Sequence, residues 1–288
     1  MARNTFFRAS AIQLCPTSSR SANLATAERL IDSAASSGSR LVVLPETFPC
    51  IYGLQHFPSN AEVLGEIGSA SEILREAAKR NRIHVLGGVV ERCPIDNNLY
   101  NTIPCYNPSG DLVAKYRKIH LSNVSIPQSD GESIETTCEK DFFSAGSDLS
   151  YFDIIEDEIK LRIGIGCCFD LRFQELSRAY AKDLACDVIA FPSAFLYSSG
   201  QYHWKLLLRS IALNNQVFTI GSNHGLNEEN GEMKMFGNTA FANGWGEIFG
   251  NCASASGNAI VTADLDIEEL YQIREMIPLN RCRADMFI

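Results

Sequence analysis

The chain has 288 residues, 45% hydrophobic and 20% charged, with 20 glycines and 10 prolines. That is close to the globular average, so a collagen, a coiled coil and a largely disordered chain are excluded. Lysine and arginine number 25 against 34 aspartate and glutamate, a net charge of −9 with no local basic patch, which argues against nucleic acid or an anionic membrane surface as a partner.

Residues 7–14 alternate loosely as a strand, and residues 22–35 carry Leu24, Ala27, Leu30, Ile31 and Ala34 at helical spacing. The run Leu41-Val-Val-Leu-Pro45 reads as a strand buried on both faces whose far end delivers Glu46. Ser69 and Glu72 form a capping box for a helix through Ala78, and residues 83–90 form a third buried strand. Residues 100–106 and 111–117 read as a hairpin around the turn Asn107-Pro-Ser-Gly110. No period holds over residues 121–148, a long irregular insert of the kind that is often functional.

Order resumes with a strand over residues 161–168, a helix over 171–181 with Leu176, Ala179 and Tyr180 on one side, and a buried strand over 188–193. A helix over 201–213, a strand over 216–222, a hairpin over 237–248, a strand over 259–264 and a helix capped by Asp266 complete the chain. The order β-α-β-α-β-β-β, insert, β-α-β-α-β-β-β-β-α predicts an α/β fold of two mixed sheets packed face to face with helices outside. No linker divides it, so residues 1–288 are expected to form one domain.

Ten cysteines are an unusual number, and an even count raises the possibility of a disulfide framework. Such frameworks staple small secreted domains, whereas this chain is long enough to bury about three quarters of its unfolded surface. No signal-peptide core and no apolar run of transmembrane length is found, so reduced thiols and a cytoplasmic location are expected. No closely spaced cysteine pair suits a structural zinc site. The clustered thiols are the neighbours Cys167 and Cys168.

Three reactive residues stand at predicted strand ends: Glu46, Lys118 and Cys168. Each has a bland reading: Glu46 as a solvated turn cap, Lys118 as one of the surface charges Lys115, Arg117 and Lys118, and Cys168 as a packed structural thiol. Together the segments LVVLPETF, KYRKIHL and GIGCCFDLRF resemble the three signature blocks of the nitrilase (carbon–nitrogen hydrolase) superfamily, a resemblance that runs over nearly the whole chain.

The resemblance implies a four-layer αββα sandwich, with Glu46 as base, Lys118 as the lysine, Cys168 as nucleophile, and neither cofactor nor metal. It also implies a second glutamate in the insert. Glu139 fits best, with Glu132 and Glu135 as neighbouring alternatives. Cys167 stands where the family usually has an aliphatic residue, and strand alternation would turn it to the opposite face as a small core hydrophobe.

Such a set suits acyl transfer. Glu46 can take the thiol proton, and the Lys118 ammonium with the backbone N–H of Phe169 can stabilise an oxyanion. The segments IYGLQHFPSNAE, FPSAF, GQYHW and IREMIPLNRCRADMF are similar to the omega-amidase branch, which implies a terminal amide on a small carboxylate-bearing substrate such as alpha-ketoglutaramate. Arg172 is then the candidate carboxylate fork, or else a partner of Asp170 or Glu175. Tyr52, Phe195 and Tyr202 are candidate pocket walls, and His203 a supporting hydrogen-bonder.

The resemblance further implies a homodimer or higher homo-oligomer. Rival readings are a deaminated-glutathione amidase, an N-carbamoyl hydrolase, and a catalytically silent binding protein. Asn214, Gly237-Asn238-Thr239 and Asn243-Gly244-Trp245 depart from the branch pattern, which bears on substrate identity and subunit contacts.

Overall fold

In the computed structural model, which describes residues 5–127, 134–156, 159–226, 233–252 and 254–282, the apolar runs become strands and the amphipathic segments cover them. The first part runs β1 (Phe6–Gln13), α1 (Arg20–Ser36), β2 (Leu41–Val43), α2 (Phe57–Asn60), α3 (Ala70–Asn81), β3 (His84–Leu86), β4 (Val89–Arg92), β5 (Leu99–Tyr106) and β6 (Leu112–Arg117). A two-stranded ribbon, β7 (Asn123–Pro127) and β8 (Ile134–Cys138), follows. Next come β9 (Ser150–Glu156), β10 (Ile159–Ile165), α4 (Gln174–Arg178), β11 (Val188–Ser193), α5 (Tyr197–Asn215), β12 (Phe218–Asn223), β13 (Ala240–Ala242) and β14 (Ile248–Asn251). Finally β15 (Ala259–Asp266) leads into α6 (Ile267–Met276) and α7 (Leu279–Cys282).

One sheet has the order β15-β1-β2-β3-β5, with β4 and β6 also paired to β5; the other is β14-β13-β12-β11-β10-β9. Both are mixed: β1, β2 and β3 run parallel, as do β10, β11 and β12, while the flanking pairs are antiparallel. The short run around β2 is buried on both faces, as its continuous apolarity predicts. Leu41 and Val43 join Phe7, Ala9, Ile163 and Ile165 in the core between the sheets. Val42 points the other way, into a layer with Leu24, Ala27 and Ile31 of α1 and Leu74 and Ala77 of α3. Helix α5 covers the second sheet with Trp204, Leu208 and Ile211, all fully buried. Each large side chain so buried contributes roughly 1.5–3 kcal/mol, and the layers stack as the αββα sandwich.

The predicted N-caps are present, the Ser69 hydroxyl accepting from Glu72 N at 3.0 Å and the Asp266 carboxylate from Glu269 N at 3.1 Å, but the reciprocal half of the Ser69 box is not formed, because the Glu72 carboxylate accepts from Gly68 N instead. Three elements differ from expectation. The strand expected over residues 83–90 is broken into β3 and β4, which run along the same edge of β5 in one register, Leu86 opposite Cys105 and Val89 opposite Thr102. The break is Gly87-Gly88, where a Cβ on Gly88 would lie 2.5 Å from the Glu46 Cα; only glycine lets the Glu46 turn pass so close.

The insert holds the β7–β8 ribbon and is followed directly by β9, neither of which periodicity reveals. In β9 only Phe152 and Ile154 are buried, and the exposed Ile155 breaks the alternation. The helix expected over 171–181 begins at Gln174, because residues 168–172 form a 3-10 turn.

Two buried imidazoles make stability pH-dependent. Burial lowers His84 and His224 from 6.5 to about 4. The unfolded chain therefore binds protons between pH 6.5 and 4 that the folded chain does not, and stability falls as pH drops through that window. The loss is at most about 3 kcal/mol per ring, expected as a declining urea midpoint from pH 7 to 4.5. His84→Phe should flatten this slope; an unchanged slope would remove His84 from the account.

Candidate active site

The site lies at the carboxyl ends of the parallel strands of both sheets, where α/β folds commonly place reactive groups. Glu46 follows β2 on a turn fixed from two sides. Gly88 N donates to Pro45 O at 2.9 Å and Phe48 N to Gly88 O at 3.0 Å. His224 Nε2 meets the Glu46 carbonyl at 2.5 Å, and since a carbonyl only accepts, this nitrogen carries the proton. Thr47 in the turn has φ 43°, a left-handed conformation that a β-branched residue adopts only under constraint.

Lys118 lies one step beyond β6, with its N–H bonded to Asn101 O at 2.9 Å, so the β5–β6 register continues through Asn101 and Lys118. Alternation then separates the basic cluster. Arg117 pairs with Glu91 at 2.7 Å and Lys115 approaches it at 3.5 Å, while Lys118 turns to the interior and is fully buried. Its ammonium contacts Glu46 Oε1 at 2.7 Å and Glu139 Oε2 at 2.8 Å. Glu139 sits at the root of the ribbon: its N–H donates to Ser122 O, its Oε2 accepts from Ser122 N at 2.7 Å, and its Oε1 accepts from Tyr52 Oη at 3.0 Å. Glu132 lies outside the described residues, and Glu135 is the register partner of Ile126 within the ribbon.

Cys168 opens the 3-10 turn after β10 with φ 43°, another left-handed non-glycine residue, and its thiol is near enough to the Glu46 carboxylate to favour that group's ionised form. The fully buried Asp170 carboxylate holds this turn against the Lys118 segment. It accepts from Cys167 N at 2.8 Å, Tyr116 Oη at 2.6 Å and His120 N at 3.1 Å, and also meets His120 Nδ1 at 2.7 Å.

Burial opposes ionisation of Glu46, but the charge of Lys118 and hydrogen bonds from Lys118, Cys168 and Asn101 outweigh it and hold the carboxyl below its ordinary value. Burial likewise disfavours the Lys118 ammonium, yet Glu139 and Glu46 keep its pKa well above normal. Burial, then the Glu46 charge, push the Cys168 thiol well above its ordinary value despite Lys118. The resting site therefore holds a thiol beside a carboxylate and an ammonium, and the thiol needs a base to become a nucleophile.

Cys168 lines a pocket of about 380 Å³, counted with its open mouth, together with Tyr52, Phe169, Arg172 and Phe195. Val124 and Ile126 of the ribbon line it as well. Arg172 contacts neither alternative partner named for it. Its guanidinium lies 5.2 Å from the Phe195 ring centroid and 5.7 Å from that of Phe169, and Nη1 is 3.2 Å from His203 Nδ1. The buried Arg172 Nε has no hydrogen-bond partner among the described residues, an open donor in a pocket wall.

Two expectations are corrected. Tyr202 is not in the pocket: it is 70% exposed, because the buried stripe of α5 runs through Gly200, Trp204, Leu208 and Ile211 and leaves Tyr202 on the outer face. Cys167 is not turned away from the site. Strand β10 ends at Ile165, alternation does not extend past it, and Cys167 Sγ lies 3.3 Å from Glu46 Oε1. Asn101, which sequence reasoning missed, donates to Glu46 Oε1 at 2.6 Å and approaches Glu139 Oε1 at 3.4 Å. Its signal was a polar residue inside a buried strand.

Residues 8–275 match the carbon–nitrogen hydrolase family. The chain is 36% identical over 284 residues to the omega-amidase NIT2 of Homo sapiens, covering 98% of this chain and 97% of that protein. It is 34% identical over 277 residues to the omega-amidase NIT2 of Xenopus tropicalis, covering 96% and 95%. The crystal structure of Saccharomyces cerevisiae Nit3, a member of branch 10 of the nitrilase superfamily, superimposes with a TM-score of 0.83 at 27% identity, covering 98% of this chain and 97% of that one.

Replacing Lys118 with Met would leave two buried carboxylates without their cation, at a cost of about 3–5 kcal/mol at pH 7. Without the ammonium that lowers it, the pKa of Glu46 rises, so the folded state binds a proton first and part of the loss is recovered on lowering the pH to 5. Denaturant unfolding at the two pH values reads both effects. Parental stability in Lys118→Met would show that the ammonium does not hold the carboxylates together.

Proposed function

The chain belongs to the carbon–nitrogen hydrolase family, and from that premise we propose that it is an omega-amidase-like enzyme releasing ammonia from the terminal amide of a small carboxylate-bearing substrate. The observation that carries this reading is the buried cluster in which Cys168 and Lys118 share the Glu46 carboxylate, with Glu139 behind the lysine.

In this reading Glu46 removes the Cys168 proton as sulfur attacks the amide carbon. The resulting oxyanion is met by Lys118 and the Phe169 backbone N–H. An ammonium has three donors; one meets Glu46, one spans Glu139, and the third is available to the oxyanion. Glu46 returns its proton to the departing nitrogen, ammonia leaves, and a thioester to Cys168 remains. Water deprotonated by Glu46 attacks the thioester, expels the sulfur and gives the acid. Glu139 holds Lys118 in place. Arg172, with its open buried donor, suits the substrate's distal carboxylate in the fork geometry that guanidinium offers. The shared omega-amidase relatives support this choice of substrate over other amides.

Wild-type protein is expected to release ammonia from alpha-ketoglutaramate, and Cys168→Ala to release none. Arg172→Met should raise KM about 10- to 100-fold, the loss of one charge-assisted pair, with a smaller effect on kcat. Ammonia release from deaminated glutathione or N-carbamoyl-beta-alanine, with none from ketoacid amides, would overturn the substrate assignment.

We further propose that the chain works as one domain in the reducing cytoplasm, where its nucleophilic thiol stays active, and pairs as a homodimer through the outer face of α5. Tyr202, Leu206 and Leu213 are 70, 61 and 49% exposed along that helix, apolar surface that a second copy would cover. Leu206→Glu should convert the dimer to monomer in sedimentation velocity. A parental protein that sediments as a monomer at micromolar concentration would refute this.

A further inference from the structure

Among the buried nucleophilic groups around Glu46, Cys167 has no part in the reaction as written, and no aliphatic side chain at its position could make the contact it makes. Its thiol donates to Glu46 Oε1 at 3.3 Å and lies 3.8 Å from Asn101 Oδ1. Oε1 thus receives three donors: Lys118 Nζ at 2.7 Å, Asn101 Nδ2 at 2.6 Å and the Cys167 thiol. Oε2 accepts from the Ala194 backbone N–H at 2.8 Å. Since a carboxylate oxygen offers about two lone pairs, Oε1 is saturated and Oε2 retains capacity.

We propose that Cys167 is a positioning residue that, with Asn101 and Lys118, pins Oε1 of Glu46 and so leaves Oε2 as the oxygen that carries protons to and from Cys168. The inference rests on Glu46 serving as the base for Cys168. The titratable and charged groups around Glu46 are Lys118 past β6, Glu139 after β8, Tyr52 before α2, Cys167 and Cys168 past β10, and His224, which meets its backbone carbonyl. Of these, Lys118 and the Cys167 thiol donate directly to Oε1, and the Cys168 thiol is near enough to favour the ionised carboxylate. A thiol that donates to an anion favours the anion, so its removal makes Glu46 a stronger base that is lost at higher pH.

The test is the pH dependence, from pH 4 to 8, of Cys168 alkylation by iodoacetamide, with the adduct located by mass spectrometry, alongside kcat/KM for ammonia release. Cys167→Val removes the donor at similar volume and should move the acid limb of both profiles upward by about half to one pH unit. Cys167→Ser keeps a donor and should restore the parental limb; Cys167→Ala supplies a second donor-free variant if the valine does not fold. Profiles for Val or Ala that superimpose on the parent, equal shifts in Val and Ser, or an adduct on Cys167 would each overturn the proposal. Parental alkylation of Cys168 without ammonia release from any amide would instead count against the substrate reading and leave the alkylation profiles to decide this one.

Discussion

A buried ammonium held between two buried carboxylates is the constraint around which the molecule is arranged. Desolvating Lys118, Glu46 and Glu139 together is costly, and mutual attraction offsets that cost only when geometry and the remaining hydrogen bonds are good. Each member therefore comes with its own supports. Glu46 is clamped through Gly88 and His224, Lys118 is set by the β5–β6 register, and Glu139 is locked to the ribbon root through Ser122 and to Tyr52. Asn101 touches both carboxylates. The cluster carries one negative charge in excess, and the donors around it are backbone amides, an amide side chain, a phenol and thiols, none of which adds charge.

The two sheets divide the chemistry between them. The first sheet supplies the base, the lysine and Asn101; the second supplies the thiols and the Ala194 N–H that meets the base. Asp170 joins the two halves, since one carboxylate binds the nucleophile turn and both flanks of Lys118. Reactive geometry thus depends on how the sheets pack, which the apolar core between them fixes at the density of a protein interior.

The layered fold and the principal residues were legible because they rest on patterns with physical content. Runs such as Leu41–Leu44 are too apolar for a half-wet strand, and a charge or thiol at the end of such a run stands out. What escaped the sequence lies where period fails. Cys167 keeps extended backbone and lies in the core with Ile163 and Ile165, and it is Cys168, with φ 43°, that leaves the strand, so alternation does not set the two thiols on opposite faces. Tyr202 was misplaced because the phase of α5 was read without its buried stripe. The ribbon and β9 were invisible because few of their residues are buried in the core, and Asn101 because its partners are 38 and 55 residues away.

The pairing of β1 with β15 carries a consequence for biosynthesis. Eight consecutive residues of the first strand, Phe6 to Gln13, are in register with Asp266 back to Ala259. Strand β1 therefore presents one bare edge from the moment it emerges from the ribosome until β15 has been made. At about 5–20 residues per second that is an exposure on the order of tens of seconds. Contacts this distant in sequence also close slowly. An unpaired, largely apolar strand is a template for pairing with other chains, so this edge is open to wrong pairing in the nascent chain and closed in the folded one.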